Sequence, residues 1–493
     1  MKLFKRKKLY ARFLVKGGVT SPGYLLQIIK AARELGNKYL HFGSRQDILL
    51  SINHNDTKVV ENNIKQLDLK VIFKNIDAQN EQNIVSSYVA CDILPSTFWV
   101  TSGTYLRVLD SFEYTPKLKV NIVDPKQNLV PIFYGALNFI ASNKEHYWYL
   151  YIKNDKNGDN QLWPVLIYSN DIHLLTIALE GMIVDNPNYQ IVELFKNISD
   201  VLQLNNANIM EELNYSNNFF PEYEGIYKMQ SGNRYWAGFY WRNNYYTTEF
   251  LEEVCKLCLK TNVSKICLTP WKTFLIKDIS ENDIIQWEHL IGKFGINMRH
   301  SSFELNWHLP LLDKSALNLK KYIVKSFDKV DVRTFGLSFT ISKKNNTPMT
   351  SIVVKDNGPF SGPFLSFFNT YDILYSKDFN SNANARTTAI INCRKNKVPK
   401  ILMDLCKQYY AKLISTAPSD KITAESKKLT TFAKPVYQCK SCFTIYDEEL
   451  GDHFVGIKAH TPFKQLPDDY QCYTCGNSKS EFVQITLEVP SLL

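Results

Sequence analysis

Two pairs of cysteines, Cys439-x2-Cys442 and Cys472-x2-Cys475, carry the clearest chemistry in this 493-residue chain. A Cys-x2-Cys spacing lets one tight turn aim two thiolates at a single ion, and the long connection between the pairs can bring the two turns together. Four sulfurs at about 2.3 Å from one ion make a tetrahedral site suited to iron or zinc. Cys91, Cys393 and Cys406 stand alone. Cys255 and Cys258 fall on an apolar helical stretch with only Cys267 nearby and no fourth ligand, so all six are expected as buried thiols. The ten cysteines therefore read as metal ligands plus core thiols, not as disulfides.

The residues around and between the pairs narrow the choice of metal. They run Cys-Lys-Ser-Cys-Phe-Thr-Ile-Tyr-Asp from Cys439 to Asp447, then Gly451-Asp452, Gly456-Ile457, Thr461-Pro462-Phe463, Leu466-Pro467-Asp468-Asp469-Tyr470 and Cys472-Tyr473-Thr474-Cys475-Gly476. Over about fifty residues, including the 29-residue gap between the inner cysteines, this stretch resembles rubredoxin. The resemblance implies one iron held by Cys439, Cys442, Cys472 and Cys475, single-electron transfer at the surface, and an aromatic core of Tyr437, Tyr446, Phe463, Tyr470 and Phe482. A domain this small needs such a core. The family's Gly after the first pair is Phe443 here, its Gly before the conserved Thr is His460, its Pro inside the second pair is Tyr473 and its Trp is Tyr470. Loss of the first Gly implies fewer or altered N–H···S bonds, hence a shifted reduction potential with metal binding kept. A structural zinc knuckle is the alternative occupant.

The elements that must carry this module come in a duplicated body. Gly23 to Leu35 has helical periodicity, with Leu25, Leu26, Ile29 and Ala32 on one face; Thr20 or Ser21 can cap it and Pro22 sits at the first helical position. An extended stretch, Tyr39 to Ile52, follows. The same plan returns 226 residues later without a gap, as a helix from Glu249 to Thr261 and a strand pair from Ile266 to Ile276. Gly43-Ser44-Arg45-Gln46 and Thr269-Pro270-Trp271-Lys272 stand at equivalent places. Both motifs resemble those of the ferredoxin-like half-domains of nitrite and sulfite reductases. That resemblance implies a sirohaem between the halves, contacted at its carboxylates by Arg45, and a four-iron cluster held by cysteines in the second α/β segment. No cysteine occurs between Cys267 and Cys393, and Asn306 to Asp313 stands where the first cysteine pair belongs. The body is thus expected to keep the shape while lacking the cluster ligands, its tetrapyrrole pocket lost or repurposed. Trp271 reads as core.

Charge is uneven. From Tyr437 to Leu493 eight acidic residues face four basic ones, a balance of −4, so that of the chain's +10 the rest carries +14. Separate solvated surfaces account for this. An acidic module that docks on a basic body or partner would also speed encounter at low salt. No basic stripe interleaved with aromatics marks a nucleic-acid site. No phosphate loop, dinucleotide fingerprint or nucleophile elbow occurs. No apolar run reaches membrane length and the basic start lacks a signal-peptide core, so a cytoplasmic protein is expected.

The expected fold class is α+β: duplicated ferredoxin-like half-domains with α/β segments, nitrite/sulfite reductase-like, plus a small C-terminal rubredoxin domain. The expected boundaries are 1-80 and 216-300 for the half-domains, 81-215 and 301-414 for the α/β segments, 415-435 for a linker and 436-493 for the iron module. The expected function is an electron carrier tethered to a docking scaffold and serving a redox partner. Two alternatives are a sirohaem-dependent reductase-like enzyme fed by its own rubredoxin, and a zinc-stapled interaction protein.

Overall fold

The computed structural model describes residues 9–53, 56–64, 70–75, 81–153, 159–186, 189–215, 225–230, 232–296, 306–330, 332–343, 349–358, 369–383, 385–416 and 431–490. The chain separates chiefly at residues 413–414 into two compact units. Most of the stretch expected as a linker lies outside the described residues. Among those described, no helix is long and apolar enough to cross a membrane.

The duplication governs the larger unit. Helix α1 (Pro22–Glu34) starts on Ser21, whose hydroxyl accepts from Tyr24 N at 3.1 Å, and Pro22 fills a first-turn position where no N–H is needed. Its equivalent, α2 (Thr248–Lys260), starts on Thr247, which accepts from Phe250 N at 3.2 Å. The two helices occupy positions 226 apart at both ends. They bury Leu25, Ile28 and Ile29 on one side and Phe250, Leu251 and Val254 on the other, and the Arg33–Glu252 ion pair links them.

Each helix covers a five-stranded antiparallel sheet, and each sheet takes its edge strand from the other repeat. The first sheet runs, in spatial order, Tyr246–Thr247, Tyr39–Phe42, Ile48–Ile52, Leu9–Leu14, Lys70–Asn75. The second runs Gly225–Lys228, Arg234–Phe239, Phe274–Ser280, Ile266–Leu268, Val19–Thr20. Tyr246 pairs with Leu40, and Thr20 pairs with Ile266, the same contact in both directions. Asn244 reinforces the exchange: its side-chain amide accepts from Phe42 N and donates to Phe42 O, both at 2.8 Å. Backbone conformation repeats as well. Gly17-Gly18 and Asn243-Asn244 are both left-handed pairs, and Gln46 (φ 57°) matches Lys272 (φ 63°) at the fourth position of the two hairpin turns.

Two α/β sheets follow the same rule. In one, Val85–Ser86, Val120–Val123 and Leu137–Ala141 are parallel neighbours and Tyr147–Lys153 then adds antiparallel. In the other, Trp307–His308, Phe339–Ser342 and Ile352–Asp356 are parallel and Thr370–Ser376 adds antiparallel. Helices Ser102–Asp110, Ile172–Asp185 and Ile191–Val201 accompany the first sheet, and Lys314–Phe327 and Val398–Thr416 the second. Each sheet belongs to its own apolar core, the first around Trp148, Trp163 and Phe139, the second around Phe339, Phe327 and Ile373.

The smaller unit is a three-stranded sheet in the order Ile445–Tyr446, Thr431–Cys439, Phe482–Pro490, with short 3₁₀ turns between. Its core is Tyr446, Phe463, Leu466, Tyr470 and Phe482 beside Cys439 and Cys472, with Tyr437 packed against it. Tyr437 and Phe463 stack with ring centroids 4.0 Å apart. This is the aromatic set expected from sequence.

Candidate metal centre

Each cysteine pair sits on a knuckle whose fifth residue is left-handed. In the first, Phe443 N donates to Cys439 O at 2.9 Å with Phe443 at φ 61°. In the second, Gly476 N donates to Cys472 O at 2.7 Å with Gly476 at φ 74°. The turns face each other, and all four sulfurs lie within 4.8 Å of one another. Across the knuckles, Cys439 Sγ is 3.7 Å from Cys475 Sγ and Cys442 Sγ is 3.4 Å from Cys472 Sγ. A tetrahedron with bonds of about 2.3 Å has edges of about 3.8 Å, so the donor set fits one thiolate-bound ion. It is the single such group of ligating side chains among the described residues.

Hydrogen bonds to sulfur complete the cradle. Thr444 N donates to Cys442, Thr474 N and Cys475 N to Cys472, and Asn477 N to Cys475. The Thr444 hydroxyl lies 3.1 Å from Cys442 Sγ and 2.9 Å from the Thr474 hydroxyl. Burial opposes ionisation of Cys442, yet the Thr444 hydroxyl and N–H, together with the neighbouring Cys475 and Cys472 thiols, bring its thiol down to about 6. Cys439 and Cys472 are buried, Cys442 is half-buried and Cys475 is exposed. The centre therefore has a dry side and an outward edge.

The departures from the rubredoxin pattern have a physical resolution. Phe443 and His460 (φ 63°) keep the left-handed backbone where the family has glycine, and at the first knuckle the Thr444 N–H still donates to Cys442. Tyr473 stacks on Phe454 at 5.0 Å, and Tyr470 uses its hydroxyl to donate to Asp452 Oδ2 at 2.9 Å. A side chain in the left-handed region costs about 1–2 kcal/mol. Because Phe443 is 68% exposed, its ring returns little packing. Phe443→Gly is therefore expected to stabilise the domain by about 1 kcal/mol, read as a higher midpoint in denaturant with unchanged iron loading.

Arg45, the other residue singled out from sequence, is buried in the larger unit. Its Nη1 donates to Asn121 Oδ1 and its Nη2 to the carbonyls of Asn83 and Val120, all at 2.7 Å. Gln46, next in the turn, exchanges two bonds with the Ser86 backbone. These contacts stitch the first hairpin to the α/β sheet. Burial lowers the Arg45 guanidinium to about 10, still charged at neutral pH. In the equivalent turn, Trp271 is buried and donates from Nε1 to Leu129 O at 2.8 Å. Lys272 donates to Leu309 O, within the stretch from Asn306 to Asp313. Burial pulls the Lys272 ammonium down to about 8. Sequence reasoning had passed over Lys272, whose only signal was its place in the repeated motif.

A lysine whose folded pKa lies below its unfolded value binds fewer protons when folded, so its contribution to stability rises with pH between about 8 and about 10.4. Wild-type stability minus that of Lys272→Met should therefore grow across that window in paired denaturant titrations. A flat difference would show that Lys272 is solvated.

The six cysteines of the larger unit are all buried. Burial raises the thiols of Cys91, Cys255, Cys267 and Cys393, and pushes Cys258 and Cys406 up to about 12. They are protonated core groups, as expected.

Comparison with known proteins agrees with both units. The rubredoxin family model matches residues 436–482. High molecular weight rubredoxin of Moorella thermoacetica is 44% identical over 70 residues, 14% of this chain and 30% of that protein. Rubredoxin-2 of Chlorobaculum tepidum is 43% identical over 49 residues, 10% of this chain and 94% of that protein. The first three curated relatives are covered over only 30%, 31% and 21% of their lengths. The NirA protein of Mycobacterium tuberculosis superposes with a TM-score of 0.63 over 83% of this chain and 84% of its own, at 13% identity, which is a likeness of fold and matches the nitrite/sulfite reductase-like architecture expected. With four sulfurs in tetrahedral reach of one iron and a near-complete small relative aligned on them, the chain belongs, through this C-terminal domain, to the rubredoxin family.

Proposed function

We propose that the chain is a one-electron carrier whose iron domain is tethered to a reductase-like body that has lost its own cluster ligands and serves as a docking scaffold for a redox partner. One observation carries the reading: two of the four converging thiols lie inside and two face outward, Cys442 half-buried and Cys475 exposed. When bound, iron supplies a ferric/ferrous couple. The chain's residues do the rest. Cys439 and Cys472, with Tyr446, Phe463 and Phe482 behind them, exclude water from one side of the centre, while the Cys442–Cys475 edge offers a short path to a partner. Backbone N–H donors on both knuckles stabilise negative charge on sulfur without moving during the reaction.

The scaffold reading rests on what the body does with its candidate residues. Arg45 has both terminal nitrogens engaged by internal acceptors, and Trp307 and Leu309 are buried in the stretch where cluster cysteines belong. Both observations support a body in which carboxylate recognition and cluster binding have been replaced by packing. Tethering through the segment around 415-435 would hold donor near acceptor at an effective concentration approaching millimolar for a short flexible linker. The division at 1-80, 81-215, 216-300, 301-414 and 436-493 is part of the same proposal, as is a cytoplasmic location.

Metal analysis with an absorption spectrum of the full chain tests the reading. One iron per chain, with visible thiolate-to-iron absorption that bleaches on adding one electron, is expected. Colourless protein with stoichiometric zinc overturns the carrier. A Soret band after expression with sirohaem synthesis would move the body to the enzyme reading.

A further inference from the structure

We infer that the outer face of the helix Ile172–Asp185 is a self-association surface, on which a second copy of this chain packs the same helix antiparallel. The inference stands apart from the iron centre and does not depend on it.

This helix is predominantly apolar on all sides, a composition that belongs to a helix covered all round. Ile172, Leu175 and Leu179 are buried in the core of the first α/β sheet. On the opposite side Leu174 is 41% exposed, Ile177 49% and Val184 50%, and Gly181 lies exposed among them. The four positions are spaced 3, 4 and 3, the interval at which side chains form a continuous seam along a helix. Neighbouring polar groups are engaged within the fold. Thr176 is buried and donates to Ile172 O at 2.7 Å, and Glu180 accepts from Lys117 N at 2.6 Å and Leu118 N at 2.9 Å. Gly181 is a separate observation. Glycine inside a helix is destabilising relative to alanine, and here neither positive φ nor crowding calls for it. A Cβ added at Gly181 meets nothing within 4 Å. Its effect is to leave a notch in the seam.

The notch selects the occupant. The seam reads the same in both directions about Leu179, so when laid antiparallel on itself it places Ile177 of each copy opposite Gly181 of the other, and Leu174 opposite Val184. A protruding β-branched side chain then meets a hole twice over, which is the self-complementarity a pair of identical chains requires. Charge agrees with this choice. Leu174, Ile177, Gly181 and Val184 carry none, so burial strands no ion and a charged partner would find nothing to pair with. Area sets the strength. A 14-residue helix is about 21 Å long and offers well under the roughly 800 Å² per partner of a stable interface. The pairing is therefore reversible and sets in at around 100 μM. Each copy carries a net charge of +10, so added salt screens the repulsion and strengthens it.

Sedimentation equilibrium of the full chain from about 5 to about 500 μM tests this. A monomer–dimer equilibrium that tightens between about 0.05 and about 0.5 M sodium chloride is expected. Ile177→Lys should weaken association at least about tenfold, since it would bury an ammonium against Gly181 with no carboxylate beside it. Gly181→Ala puts one methyl into the notch. It should weaken association by about threefold and, in dilute protein, raise the midpoint of thermal unfolding by a few degrees, because alanine is the better helix former. A glycine serving only its own fold would not move those two readouts in opposite senses. The register has its own test. Leu174→Lys and Val184→Glu, each weakened alone, should recover association when mixed, because antiparallel packing brings the two new charges together. Should Ile177→Lys fail to fold, Gly181→Ala and the mixing experiment decide. A chain that is monomeric at every concentration, its seam left to a different molecule, overturns the pairing. So does a dimer that salt dissolves, one indifferent to Ile177→Lys or Gly181→Ala, or a mixture that does not recover.

Discussion

Cys439→Ala is expected to remove iron entirely and to unfold the C-terminal domain while the larger unit stays folded. Cys439 is fully buried, lies at the end of the central strand, and packs in the same cluster as Tyr446, Phe463 and Phe482. Taking away its sulfur leaves three ligands and a hole at the centre of a core with few other residues. A domain of this size draws only a few kcal/mol from its apolar core. Metal binding at structural thiolate sites contributes on the order of 10 kcal/mol. The holo domain is therefore folded largely by its ion. Iron per chain, visible absorption and hydrogen exchange over residues 436–482 would read the loss, with protection in the larger unit unchanged. Cys475→Ser gives the contrast: at the exposed corner, a serine oxygen leaves the core intact, and a folded domain with reduced iron loading is expected. Stoichiometric iron in Cys439→Ala would mean that the four thiols do not share one ion.

Arg45→Ala should destabilise the larger unit by about 3–5 kcal/mol, the range for removing one partner from a buried charged network. The substitution strands Asn121 Oδ1 and the carbonyls of Asn83 and Val120 away from water. It also cuts the part of the stitch that ties the first hairpin to the strand at Val120. Arg45→Lys should recover only part of the loss, because one ammonium cannot reproduce a planar fork with three acceptors at 2.7 Å. Denaturant unfolding of chain free of tetrapyrrole measures this. If Arg45→Ala leaves stability unchanged under those conditions, the guanidinium is available for a ligand carboxylate and the structural role assigned to it fails.

What could be read from the residues alone followed from how locally each feature is encoded. The metal ligands were legible because a Cys-x2-Cys knuckle is set by four consecutive residues. The duplication was legible because a capped helix followed by a hairpin has both a period and a boundary, and α1 and α2 fall at the expected offset. The strand exchange was hidden: Val19–Thr20 and Tyr246–Thr247 are two residues long, too short for any alternation to show. The Thr444–Thr474 contact was equally invisible, since it depends on how two knuckles 30 residues apart face each other. Phe443 and His460 misled for a different reason. Glycine in a family pattern signals a left-handed backbone, but its absence does not forbid one when the surrounding turn enforces it.

The traded edge strands bear on ancestry. A polypeptide holding a single repeat would have an open β-edge beside Tyr39–Phe42 or Ile266–Leu268, the kind of surface on which other chains aggregate. It could close that edge only by lending its own short strand to a second copy and borrowing one back, an isologous homodimer with two-fold symmetry. A gene duplication that fused two such subunits would keep both exchanged strands within one chain, the arrangement seen here. Separating them again by cutting the chain between the repeats should give fragments that are insoluble when made singly and that recover by co-expression as a heterodimer.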